Sequence, residues 1–95
     1  MKWPFQDPQN VAVFTSKEIV SESTWIQYVT HDEDDGAWQF HPIDGTLEED
    51  ARIVSLEKIV EIDSSVAQLF DLPLGWYAWR KSRDSAWKRK KKLQS

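Results

Sequence analysis

The chain reads as an α+β domain: a mostly antiparallel sheet of about five strands with two or three short helices packed on one face. Three features predict it. Trp25, Ile26, Tyr28 and Val29 are separated from Trp38 and Phe40 by an acidic stretch ending in Gly36, the composition of a hairpin of half-buried strands. Leu56, Ile59 and Val60, then Val66, Leu69 and Phe70, repeat at i, i+3 and i+4 in segments too short to persist alone, so both must lie on a sheet. Short apolar runs at Val11–Phe14, Ala51–Val54 and Trp76–Arg80 supply further strands.

In the hairpin, Asp32-Glu33-Asp34-Asp35-Gly36 is turn chemistry, because Asp side chains bond their own downstream backbone and Gly accepts a positive φ. If Asp32 faces Ala37, Val29 falls opposite Phe40 and His31 opposite Trp38, all on one face.

Before the hairpin, Trp3-Pro4-Phe5-Gln6-Asp7-Pro8 is an extended lead-in that tucks Trp3 and Phe5 onto the domain edge. Thr15-Ser16-Lys17-Glu18 fits a capping box with Thr15 as the cap, starting a short helix near Ser16 with Ile19 and Val20 inward. After it, His41–Thr46 is a loop and Leu47–Asp50 one helical turn. Ser55 and Asp63 each cap a helix, the second stopped by Leu72-Pro73 and Gly75. Arg83-Asp84-Ser85 turns the chain into Ala86–Arg89. Residues 1–88 form one globular domain, and 89–95 a basic, frayed tail without apolar periodicity.

Composition narrows the function. Of the charges, residues 1–75 carry 4 basic and 15 acidic side chains and residues 76–95 carry 8 basic and 1 acidic, a division from −11 to +7 hidden in a net −4. Such asymmetry marks partner-facing segments. Without cysteine, disulfides, zinc–thiolate sites and thiol catalysis are excluded. Six Trp in 95 residues exceed what one small core needs, so one or two are available to line a groove. Neither a signal peptide nor a membrane span is indicated, which points to the cytoplasm.

Catalytic signatures are missing. No G-x-G-x-x-G, P-loop, H-E-x-x-H or G-x-S-x-G occurs, and the paired acids lie in polar surroundings that would not split their pKa values. The aspartate run fails the EF-hand grammar, because counting from Asp32 places Gly36 one position early and Ile43 where the bidentate Glu belongs. His31-Asp32 resembles metal phosphohydrolase sites only as a dipeptide. The expectation is therefore no enzyme, no metal and no cofactor.

Two binding surfaces stand out. Asp32, Glu33, Asp34, Asp35 and Trp38, with Glu48, Glu49 and Asp50, form an acidic surface for a basic protein partner. Trp79, Arg80, Arg83, Trp87, Lys88, Arg89 and Lys90 offer the alternative, stacking faces interleaved with cations as in single-stranded nucleic-acid binders. Against it stands the −11 remainder, which would repel a polyanion unless the cations project clear of it.

The strings Asn10–Thr15, Val29–Phe40, Ala51–Asp63 and Asp71–Trp76, above all H-D-E-x-D-G-x-W-Q-F at His31–Phe40, resemble a family of small bacterial proteins of unknown function allied to immunity proteins of polymorphic toxin systems. The resemblance spans roughly residues 3–88. It implies a cytoplasmic bacterial domain and brings no catalytic residue or ligand. The lysine run at 88–92 looks peculiar to this chain.

Overall fold

The computed structural model describes residues 3–42 and 51–92. Among the described residues six strands form one sheet: β1 (Ala12–Ser16), β2 (Tyr28–His31), β3 (Trp38–His41), β4 (Ala51–Ser55), β5 (Trp76–Trp79) and β6 (Lys88–Lys91), in the order β4-β1-β3-β2-β5-β6. β1 and β3 run parallel and every other pair antiparallel, so the fold is α+β with a mostly antiparallel sheet. The described residues also form two helices, α1 (Lys17–Val20) and α2 (Leu56–Ile62), and the 3-10 helix Ser64–Leu69. Among the described residues, no helix is long and apolar enough to cross a membrane.

The hairpin has the expected register. Val29 faces Phe40, His31 faces Trp38, and the Asp32 amide donates to the Ala37 carbonyl at 2.8 Å. Period-two alternation then sorts the sheet. Val13, Val29, Trp38, Phe40 and Ala78 form one core with Ile19 of α1, Leu56 and Ile59 of α2, and Val66 and Leu69 of the 3-10 helix. Phe5 reaches this core and meets Trp38 edge-on with centroids 5.5 Å apart.

Helix starts follow local chemistry, with one correction. Thr15 is not the cap of α1: the strand runs on through Ser16, whose hydroxyl accepts from the Ile19 amide at 3.2 Å. Thr15 points to the core side, where its hydroxyl donates to the Phe40 carbonyl at 3.0 Å. Ser55 caps α2 as expected, accepting from the Lys58 amide at 3.1 Å. Two further amides of that first turn, Leu56 and Glu57, donate to the Val11 and Gln9 carbonyls. Asp63 caps the next element by accepting from the Ser65 amide at 3.0 Å, but that element winds as a 3-10 helix. The tighter winding leaves Phe70 exposed, where α-helical spacing placed it inward.

Residues 89–91, expected in the tail, pair with β5 as part of β6. An edge strand needs only backbone partners, and Lys is the side chain that keeps such an edge from pairing with other chains, so the absence of apolar periodicity did not forbid a strand. The expected helical turn at Leu47–Asp50 lies outside the described residues.

Arg80 sits at the centre of a buried polar network. Its side chain is 1% exposed and donates to the Ile26 and Arg83 carbonyls, to Ser65 Oγ at 2.9 Å and to Asp63 Oδ2 at 2.6 Å. The guanidinium lies 4.2 Å from the Trp87 ring centroid and 5.6 Å from that of Trp25. Burial by itself would raise the Asp63 pKa, but hydrogen bonds from Ser65 and Arg80 and the Arg80 charge outweigh it and hold the carboxyl below its ordinary value. A depressed carboxylate contributes stability that is complete above its unfolded pKa, about 3.9, and lost as pH falls through the folded value. Melting temperatures measured from pH 7 down to about 2 should therefore fall more steeply below about pH 4 for the wild type than for Asp63→Asn. Equal acid sensitivity of the two would show that the pair does not contribute.

Candidate functional site

At one end of the sheet the hairpin tip meets the loop that follows the 3-10 helix. Gly36, at φ 72°, donates to the Asp32 carbonyl, and the Asp35 carboxylate accepts from the Ala37 amide at 2.9 Å. Asp32 is held within the fold, accepting from Gln39 Nε2 at 2.7 Å with Lys92 Nζ 3.9 Å away. Glu33, Asp34 and Asp35 project outward. The Gly75 amide donates to the His31 carbonyl at 2.7 Å, which brings the loop against the tip. At φ 83° position 75 favours glycine, while a Cβ there would lie 3.2 Å from Glu33 Oε2, the end of an exposed side chain that can give way.

His31 is fixed from two sides. Its ring stacks on Trp38 at 3.9 Å and 12°, and Nδ1 lies 2.7 Å from the Leu72 carbonyl. A carbonyl only accepts, so Nδ1 carries the hydrogen and Nε2 of the neutral ring is an acceptor. A cavity of about 190 Å³ opens beside it, lined also by Asp7, Phe70, Asp71 and Leu74. Phe70 and Leu74 are 48% and 52% exposed. Large apolar groups at that exposure beside a cavity and an acidic rim are the composition of a docking surface. Asp71 on the same rim is tied to Arg89 at 2.8 Å, and that hydrogen bond lowers its pKa.

The opposite face of the sheet carries no described helix. Tyr28, Tyr77 and Trp79 form a continuous ring cluster there, with centroids 5.4 and 5.3 Å apart, and His41 joins through Tyr28 at 5.4 Å. Phe14 and Ile53 extend the face toward β4, both exposed. Lys88 lies opposite Trp79 and Lys90 opposite Tyr77, on the same face. Burial, followed by the neighbouring Tyr77 and Asp32, raises the Tyr28 pKa.

The structure separates residues that the sequence grouped. Trp38, expected at the acidic interface, is 1% exposed and belongs to the core, because alternation turns it to the helix side with Phe40. Glu48, Glu49 and Asp50 lie outside the described residues. Of the aromatic and basic set, Trp79, Lys88 and Lys90 share the helix-free face. Arg80 is buried in the opposite direction, Trp87 covers its guanidinium, and Arg89 turns to Asp71. Arg83 is exposed in the turn before β6. Phe70, Leu74 and His31 were missed as a group. Only Leu74, an apolar residue between Pro73 and Gly75 where no element could bury it, carried a signal in the sequence.

Among the described residues, no group of three or more His, Asp or Glu side chains is placed to hold a metal ion. No family model, no curated protein and no solved structure matches the chain.

Proposed function

We propose that the protein is a non-catalytic binding module of the cytoplasm that docks a basic protein partner at the tip end of its sheet. The observation that carries this reading is the pair of half-exposed apolar side chains, Phe70 and Leu74, beside a cavity rimmed by Asp7 and Asp71, at the end of the sheet where the hairpin tip exposes Asp34 and Asp35. Opposite charge at the rim speeds and selects encounter, while an apolar or long side chain seated between Phe70 and Leu74 holds the complex. The resemblance of the His31–Phe40 string to immunity-allied proteins favours a partner of toxin type, and a toxin-like reading frame next to the gene would support that.

The test is capture of a stoichiometric partner from native cytoplasm, followed by rebinding to variants. Leu74→Glu with Phe70→Glu should weaken the complex at least about 30-fold, the loss of one hot spot, mainly through faster dissociation. Asp34→Lys with Asp35→Lys should slow association about tenfold at low salt and change dissociation little. Retention of full affinity by the folded Leu74 and Phe70 variant would overturn this reading. So would recovery of nucleic acid alone.

A further inference from the structure

We infer that the helix-free sheet face is a second site, one that takes single-stranded nucleic acid. It is independent of the tip surface, which lies at the end of the sheet and uses other residues.

Three observations converge on one face. The first is the ring cluster: Tyr28, Tyr77 and Trp79 are half-buried on a side where no described helix uses them, while Ala78, between two of them, fills the core position. Their mutual tilts of 31° and 32° make them one shallow tier of π-faces in place of an edge-to-face packing. The second is cation placement. Strand pairing sets Lys88 beside Trp79 and Lys90 beside Tyr77, so two exposed ammonium groups border the same rings. The third is the location of the acids. Glu57 and Glu61 lie on α2, on the far side of the sheet, Asp63 and Asp71 are paired with Arg80 and Arg89, and Asp32 is engaged by Gln39 and Lys92. Asp32 is near enough to Tyr28 to raise its pKa, but Lys92 lies 3.9 Å from Asp32, and the exposed charges bordering Trp79 and Tyr77 are Lys88 and Lys90.

Rings that stack bases beside cations that neutralise phosphates suit an unpaired strand. A duplex keeps its bases stacked on one another and could use only the lysines. The sheet supplies the flat platform, and β6 acts as a positively charged rail along its edge.

The test uses the full chain and a fluorescein-labelled oligouridine of about twelve nucleotides, followed by anisotropy across salt concentrations. With Lys88, Lys90 and Lys92 as phosphate contacts, log K should fall against log salt with a slope near −2. Lys88→Glu with Lys90→Glu should lower affinity at least tenfold and flatten that slope. Lys81→Glu with Arg83→Glu, exposed cations of the turn between β5 and β6 that no strand pairing sets beside the rings, should stay within twofold. Trp79→Phe should remove most of the tryptophan quenching on binding. Equal affinity for a duplex of the same length, or equal damage from the Lys81 and Arg83 variant, would reduce the effect to diffuse charge attraction and overturn the proposal. No salt-dependent binding would also overturn it. A protein partner whose capture depends on Lys88 and Lys90, with no oligonucleotide bound, would reassign the face to protein docking.

Discussion

Arg80→Met should destabilise the protein by about 3 kcal/mol, the low end for removing one partner of a buried ion pair. The substitution leaves Ile26 and Arg83 carbonyls without their donor and Asp63 without its cation. Asp63 is only half-buried and can recover part of its hydration, which is why the low end applies. For a domain of this size the total is about 5–14 kcal/mol, and the loss would lower the melting temperature by roughly 12–25 °C. Arg80→Lys should recover little, because one ammonium cannot reproduce the planar fork that reaches a carboxylate, a hydroxyl and two carbonyls at once. Adding Asp63→Asn to Arg80→Met should restore stability relative to the single variant, since the cap to Ser65 survives and the uncompensated charge does not. Urea unfolding of the four proteins closes the cycle. An Arg80→Met chain within 1 kcal/mol of wild type, on the order of one ordinary surface change, would mean the network is not structural.

Trp38→Ala should cost about 3–5 kcal/mol, the range for deleting a buried aromatic side chain. Trp38 is the largest fully buried side chain and touches Phe5 edge-on, Phe40 in a stack at 6.2 Å and His31 face-to-face. Its indole nitrogen has no hydrogen-bond partner among the described residues, so Trp38→Phe gives up volume without breaking a bond and should cost clearly less. Partner binding by a folded Trp38→Phe chain should be nearly unchanged if Trp38 acts only in the core. A binding loss larger than that of the Leu74 and Phe70 variant would return Trp38 to the interface, through its contact with His31.

Alternation and caps made much of this fold legible. The hairpin register followed from one assumption, Asp32 against Ala37, because a period of two then fixes which side chains share a face. Ser55 and Asp63 were readable as caps because a short polar side chain before an apolar i, i+3, i+4 run has few other uses. Thr15 and Ser16 were ambiguous for the same reason. Both can cap, and only the extra length of β1, bonded through Thr15 to Phe40, selects the second. The lysine strand was illegible because backbone pairing at an edge leaves no pattern in the side chains.

The candidate sites were legible as residue types and illegible as groups. The aspartate tip and the aromatic, basic C-terminal segment were apparent as clusters, yet Trp38, Arg80 and Arg89 left those clusters once alternation assigned each to the helix side. A run such as Trp76-Tyr77-Ala78-Trp79-Arg80 is bulky at both parities, so it announces two covered or occupied faces without telling which is the core. Ala78 opposite Val29 resolves it.

By itself the sequence determined five of the six described strands, the caps at Ser55 and Asp63 and the separation of charge along the chain, because these follow from neighbours within a few residues. Only the tertiary structure decided that Arg80 is a core residue, that Phe70 and Leu74 flank a cavity at the acidic tip, and that Lys88 and Lys90 lie beside Trp79 and Tyr77. Each of those depends on strand order and on which face the helices cover, contacts between residues far apart in the chain that no local pattern encodes.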